Sequence, residues 1–510
     1  MHAGARKNNA RRGEVSGKSV PEPPSIDLET LGRAVGAVET VGPARVRITD
    51  LAYDTRAVSP GALFVCVPGE RADGHDFAAD AIAAGAVALV VERALALPVP
   101  QLVVADARRA MALAADAFFG RPTRELEVAG VTGTNGKTTT AFLLYSILAA
   151  AGRRPGLLGT VEMRVGGERR AVVRTTPEAI DLQRTYREML DAGDRSCAME
   201  ASSHASELKR LVGTRFRVLV FTNLTQDHLD FHGTMGSYYE AKRRLFVDRD
   251  VDGNRPPAAV NLGDEHGRRL ASELRDLGGE LLTFGFDGDA DIRPDGLDLT
   301  PSATSFRAAG LAVHPRLRGR FNVENVLGAI AAGRLLGIDE DAIVRGVEHL
   351  AGVPGRFEAV DEGQPFAVIV DYAHTPEALQ NVLREARGLA TGRVLCVFGC
   401  GGDRDRVKRP LMGEVVSRLA DRAIVTSDNP RSEEPTVIID EILTGMTGDE
   451  DVEPDRAAAI ALAIEQAGDG DVVVIAGKGH EQGQEFGDRT IPFDDREVAR
   501  DALRRLGAAA

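Results

Sequence analysis

Short apolar runs that break off into polar or glycine-rich loops recur along most of this chain. Near the N-terminus they are residues 63–67, 87–91 and 102–104. Then come 126–131, 197–199 and 218–221, and finally 367–370, 394–398, 423–426 and 472–476. Runs this short, rich in Val, Leu, Ile and Phe, predict strands buried on both faces. Helical patterns lie between them: 77–84, closed by Gly85; 141–151, closed by Gly152; and the amphipathic 237–246. Strands alternating with helices form parallel sheets whose polar loops gather at the carboxyl edge, where open sheets bind ligands. The pattern predicts an α/β fold.

At 510 residues the chain is too long for one core. Residues 1–24 are basic and polar, without an apolar segment, and predict a disordered tail rather than a secretory signal. Residues 25–123 read as a small α/β domain that ends in an Arg-Pro-Thr linker. Residues 124–352 read as a central domain, and Val-Pro-Gly-Arg-Phe-Glu at 353–358 opens a C-terminal domain, 353–510. A 43% apolar content permits a sizeable core, and a net charge of −14 argues against nucleic acid or an anionic membrane as partner. No apolar run approaches the ~18 residues that span a bilayer. Cys66, Cys197, Cys396 and Cys400 lack C-x-x-C spacing and read as buried thiols of a reducing cytosol, not a zinc site.

The sharpest local signal follows the 126–131 run. Glycines at 130, 133 and 136 precede Lys137 and Thr138, and a helical pattern starts at once. Glycines let backbone N–H groups crowd an anion, and the helix dipole adds positive potential. Lys137 supplies a point charge for the outer phosphates, and the Thr138 hydroxyl can hold Mg²⁺. Val131 stands where the usual G-x-x-x-x-G-K-T spacing has its first glycine. The stretch nevertheless reads as a nucleotide-phosphate loop.

Other polar clusters follow strand ends. Glu200 closes the 197–199 run, where Mg²⁺ needs a hard oxygen ligand, although it could also cap the next helix. Thr175 and Thr176 open a helix and suit either a cap or an anion. Asp227, His228, Asp230 and His232 could bind zinc, but Mg²⁺ and phosphate contact through His228 fits the segment better. By spacing alone, Lys242 is an ordinary exposed lysine. In the C-terminal part, four strand-end loops, at 371–376, 399–406, 427–431 and 477–481, are rich in Arg, Asp, Asn and Glu. Such a set suits a small zwitterionic ligand.

Together these motifs resemble the Mur ligases, the ATP-dependent amino-acid-adding enzymes of peptidoglycan synthesis. The resemblance runs from about residue 26 onward. It rests on GTNGKTT (133–139), EASSH (200–204), NLTQDHLD (223–230), FNVEN (321–325), GRFE (355–358), DYAH (371–374) and DNPR (428–431). It implies an N-terminal UDP-binding domain, a central phosphate-loop ATPase domain with a parallel sheet, and a C-terminal Rossmann-like domain that brings the amino acid. DNPR implies the member that adds meso-diaminopimelate to UDP-N-acetylmuramoyl-L-alanyl-D-glutamate through an acyl phosphate.

By motif, Gly133, Thr134, Asn135, Gly136, Lys137, Thr138 and Thr139 hold ATP phosphates. Asn325, Arg356, Asp371 and His374 complete the ATP site. Thr138, Glu200 and His228 ligate Mg²⁺, with Lys242 as a carbamate (N6-carboxylysine), a role that nothing in its local sequence predicts. Thr55, Arg56, Thr175, Thr176, Ser202 and Arg210 match positions that contact the UDP-sugar-dipeptide, while Leu208 stands where some relatives carry glutamine. Arg404, Asp428, Asn429, Pro430, Arg431, Gly477 and Glu481 match the amino-acid site. The implied enzyme is a cytoplasmic monomer with small-molecule substrates, without nucleic acid or membrane insertion. Folylpolyglutamate synthase shares the phosphate loop but lacks the N-terminal domain and DNPR. An L-lysine-adding sister would lack Arg431, and a nucleotide switch would leave the four C-terminal loops without a purpose.

Overall fold

The computed structural model describes residues 25–69, 72–300, 303–448 and 450–509. The tail expected over 1–24 lies outside the described residues. The chain forms two compact units, one ending at Ala110 and one running from Met111. The boundaries drawn from sequence fall just past the Ala107–Phe118 helix and just before the Val353–Arg356 bridge.

The first unit is built on a five-stranded sheet ordered Glu39–Val41, Gln101–Val103, Ala88–Val91, Ala62–Val65, Asp50–Ala52. All neighbours are parallel except Glu39–Val41, which is antiparallel. The runs expected as buried strands are its centre, with Phe64, Leu89, Val91 and Leu102 out of water. The helix expected over 77–84 is Ala78–Ala83, entered through a 3₁₀ turn, Gly74–Phe77. After Asp50–Ala52 the chain turns at Asp54, whose carboxylate accepts the Arg56 backbone N–H at 3.0 Å. Thr55 and Arg56 lie on that turn.

The second unit contains two large sheets. The eight-stranded one has Glu127–Thr132 near its middle, between Ser196–Glu200 and Phe216–Phe221. Pro155–Leu158, Ala258–Asn261 and Leu281–Phe284 extend the parallel array, and an antiparallel hairpin, Met163–Val165 with Glu168–Arg170, ends one edge. Chain order reverses around Glu127–Thr132, which opens a crevice at its carboxyl end. The next helix, Lys137–Ala150, is apolar almost all round. It is sandwiched between this sheet and the helices Arg320–Leu335 and Glu340–His349 in one continuous core.

The six-stranded sheet has the order Glu358–Ala359, Ala367–Asp371, Val472–Ala476, Val394–Phe398, Arg422–Val425, Asp451–Val452. Its four long strands are those expected from sequence. All run parallel, so their polar loops share the carboxyl edge. Separate apolar clusters cover its two faces, as a parallel sheet requires. Among the described residues, no helix is long and apolar enough to cross a membrane.

Candidate active site

The loop after Glu127–Thr132 folds tightly. Gly136 sits at φ +83°, and a Cβ there would collide with the Asn325 side-chain oxygen. A neighbouring strand end holds the loop: the Thr222 hydroxyl donates to Asn135 O at 2.6 Å, and Asn223 Oδ1 accepts the Asn135 N–H at 2.9 Å. Thr134 Oγ1 lies 3.1 Å from the Tyr238 hydroxyl. Lys137 Nζ donates back to Gly133 O (3.0 Å) and Thr134 O (2.7 Å).

Lys242 departs from the spacing-based expectation of an exposed lysine. It is 1% exposed, because the Met235–Val247 helix turns Tyr238, Ala241 and Lys242 inward under the loop. Its Nζ donates to Gly133 O at 2.8 Å, the carbonyl that Lys137 also uses, and lies 4.5 Å from the centre of the Tyr238 ring. Burial, and then repulsion from Lys137, hold its pKa well below the usual lysine range, with Asp227 opposing. Burial also lowers Lys137, against the pull of Glu200 and Asp227.

Glu200 ends its strand level with Val131 and is buried. Its Oε1 accepts the Thr160 N–H at 2.7 Å and its Oε2 the Thr160 hydroxyl at 3.2 Å. Ser202, not Glu200, caps the following helix, by accepting from the Ala205 N–H. The Thr176 hydroxyl donates to Glu200 O at 2.8 Å, and Arg210 Nη2 pairs with Glu178 at 2.7 Å. His228 has left-handed backbone (φ +53°) and packs edge-on against His204, ring centres 4.7 Å apart. Burial outweighs Asp227 and pushes its pKa down to about 4, so its ring is neutral at neutral pH. His232 instead turns to the Ser203 hydroxyl, 3.0 Å from its Nε2. Among the described residues, no three His, Cys, Asp or Glu side chains converge on a metal-sized site.

One cavity of about 900 Å³ gathers these groups. Loop residues 134–139 line one side, with Glu200, His228, Thr175, Thr176, Ser202 and Arg210. Asn325 lines it beside Gly136, and Arg356, Asp371 and His374 line the other side, so the carboxyl edge of the six-stranded sheet completes a space begun by the eight-stranded one. Asp371 accepts the backbone N–H of Phe357 (2.7 Å) and of Ala373 (2.8 Å). Burial raises its pKa against the nearby Arg356. Arg356 lies over the Tyr372 ring, 4.8 Å from its centre. Gly133 and Lys242 stand behind the lining.

The expected amino-acid residues form a second cluster on the six-stranded sheet, outside that cavity's lining. Arg431, at φ +53°, pairs through Nε with Glu485 Oε2 (2.7 Å) and donates from Nη1 to Gly402 O (2.8 Å). Arg404 Nη1 donates to Asp403 O at 3.0 Å. Asp428 is buried near Arg456 and Lys478, and a Cβ on Gly477 would collide with its carboxylate. Asn429 Nδ2 donates to Glu481 Oε2 at 2.8 Å. Pro430 is buried. Sequence reasoning missed Thr160, Tyr238, Tyr372 and Lys478. Only Thr160, a hydroxyl just past a strand end, and Lys478, between two loop glycines, carried a readable signal.

A phosphate loop facing the carboxyl edge of a second parallel sheet defines a nucleotide-dependent enzyme of the α/β class. Family models named Mur ligase family, catalytic domain; Mur ligase middle domain; and Mur ligase, glutamate ligase domain match residues 47–119, 131–333 and 355–479. The UDP-N-acetylmuramoyl-L-alanyl-D-glutamate–2,6-diaminopimelate ligase of Solibacter usitatus is 47% identical, over 94% of this chain and 99% of its own length. That of Geobacillus thermodenitrificans is 47% identical over 90% and 95%. A solved structure of a ligase with this name aligns at 32% identity and TM-score 0.71, covering 95% of this chain and 99% of the other. The chain belongs to the Mur ligase family.

Proposed function

We propose that this chain is the ATP-dependent ligase that joins meso-diaminopimelate to UDP-N-acetylmuramoyl-L-alanyl-D-glutamate, as a cytoplasmic monomer supplying peptidoglycan precursor. The observation that carries this reading is the pairing of a phosphate-loop cavity with a separate Arg431–Asn429–Glu481 cluster on the facing sheet. One holds a phosphorylated donor, the other a zwitterionic acceptor, and ligation needs both.

A carboxylate is a poor electrophile, so ATP first converts it to an acyl phosphate. The acceptor amine then attacks through a tetrahedral intermediate and releases phosphate. Positioning and charge neutralisation do most of the work. Lys137 and the loop N–H groups hold the β- and γ-phosphates. Asn325 flanks the loop, and Arg356, Asp371 and His374 close the nucleotide site from the other side. Thr175, Thr176, Ser202 and Arg210 hold the UDP-sugar-dipeptide. Arg404, Asp428, Asn429, Pro430, Arg431, Gly477 and Glu481 hold the amino acid.

The residues fit Mg²⁺. A hydroxyl (Thr138), a buried carboxylate (Glu200) and a neutral imidazole (His228) line one cavity and would hold the ion. When bound, it neutralises charge on the phosphates. Lys242 fits carbamylation: its depressed pKa leaves the neutral amine that attacks CO₂ and loses a proton, and the carbamate anion would relieve the repulsion with Lys137.

ADP release tests this reading. It should require the UDP-dipeptide and diaminopimelate together. Equal ADP release with neither substrate present would support a nucleotide switch instead.

A further inference from the structure

Lys478 is 0% exposed and has no role in the scheme above. A buried ammonium is costly unless paired, and the pair itself returns little stability compared with an apolar residue of the same size. Its surroundings supply a reason for its presence. Lys478 Nζ donates to Glu481 Oε2 (3.0 Å) and to Asn429 Oδ1 (2.8 Å). Asn429 Nδ2 donates to the same Glu481 oxygen (2.8 Å), and Asn429 Oδ1 also accepts the Glu485 backbone N–H (3.1 Å).

An ammonium only donates and a carboxylate only accepts, so these partners fix the Asn429 amide in one orientation. They also fix Glu481. Both side-chain bonds reach Oε2, while the side chain remains 33% exposed, which leaves Oε1 for a ligand. Burial would raise the Glu481 pKa, but the Lys478 charge and hydrogen bond outweigh it and keep the carboxylate ionised. Glu485 links this triad to Arg431, whose Nε binds the Glu485 carboxylate.

We propose that Lys478 is a positioning residue for the acceptor amino acid, locking Asn429 and Glu481 so that Glu481 Oε1 receives an ammonium group while Arg431 receives a carboxylate. This rests on the reaction proposed above. Lys478 itself does not touch the substrate. It turns an acid and an amide that would otherwise swing into a preformed receptor for one zwitterionic end.

The test is Lys478→Met, with steady-state constants measured for each of the three substrates. The KM for diaminopimelate should rise about 10- to 100-fold, the loss expected when hydrogen bonds to a charged group are removed. The kcat and the KM values for ATP and UDP-dipeptide should stay within about threefold. An unchanged KM for diaminopimelate, or equal rises in all three, would overturn the proposal, the latter marking a merely structural lysine. If the single variant does not fold, Lys478→Met is made in a Glu481→Gln background, which removes both charges together. With Asn429→Ala also present, so that neither group Lys478 locks remains, that step should change the KM for diaminopimelate by less than about threefold. A further rise of tenfold would overturn the proposal. If the unmutated enzyme does not turn over diaminopimelate, the failure lies with the proposed function and not with Lys478.

Discussion

Lys242 shows how far a single residue's chemistry is set by what packs around it. Its ammonium shares the Gly133 carbonyl with that of Lys137, out of water. Burial, and then repulsion from Lys137, favour loss of its proton, which the proposed carbamylation requires. Lys242→Ala should therefore reduce turnover severely, by about 10²-fold or more. Short-chain carboxylates such as acetate should restore part of it by standing in for the carbamate. An alanine variant with near-normal activity, or an intact-mass measurement under bicarbonate showing only the free amine, would contradict this account.

At the scale of elements, the phosphate loop depends on backbone that a side chain cannot adopt cheaply. Gly136→Ala would place a methyl group against Asn325 at positive φ. A cost of about 1–3 kcal/mol in strain is expected, with loss of ATP binding as Asn325 is pushed aside. Calorimetric titration with ATP checks it, and unchanged affinity would show that the loop yields. The helix Lys408–Leu419 and the turn that leads into Pro435–Leu443 supply a different test. The fully buried Arg409 bonds Glu433 at 2.8 Å and 2.9 Å, and this pairing, first among its causes, pulls the Glu433 pKa down to about 2. A depressed carboxylate contributes stability above its unfolded pKa of about 4.5 and loses it as pH falls through about 2. Unfolding free energy should fall over that window, and Glu433→Gln should flatten part of the slope. Identical slopes in both proteins would exclude the pair.

Elements and loops differed in how legible they were. Runs such as 126–131 and 472–476 are apolar on both faces and bounded by glycine, so burial alone forced them into central parallel strands. The hairpin Met163–Val165 with Glu168–Arg170 has no such run, since an edge needs none. Lys242 was misread because helical spacing says which residues share a face, not what that face meets. Lys478 lay inside a recognised loop, but its partners, Asn429 and Glu481, are brought together only by two parallel strands. The phosphate loop, by contrast, was readable because strand, glycines, lysine and helix start are contiguous in the chain.

For the molecule as a whole, the decisive feature is that one cavity draws on the carboxyl edges of two sheets. Arg356 comes from the segment that opens the six-stranded sheet, yet faces the loop of the eight-stranded one. Arg356→Ala should raise the KM for ATP about tenfold or more and leave that for diaminopimelate within about threefold. Equal effects on both would mean the two sites are not separable.

By the function proposed above, the Arg431 cluster selects an amino acid with a second zwitterionic end. An unpaired buried guanidinium would impose a preference on the order of 10²–10⁴. Arg431 is 23% exposed and already pairs with Glu485, so the lower end, about 10², is expected. The most direct measurement is kcat/KM for meso-diaminopimelate against L-lysine, with UDP-dipeptide and ATP saturating and product mass read alongside ADP. The expected result is a product heavier by one diaminopimelate residue and a preference of about 10² or more. Comparable kcat/KM for the two amino acids would contradict it.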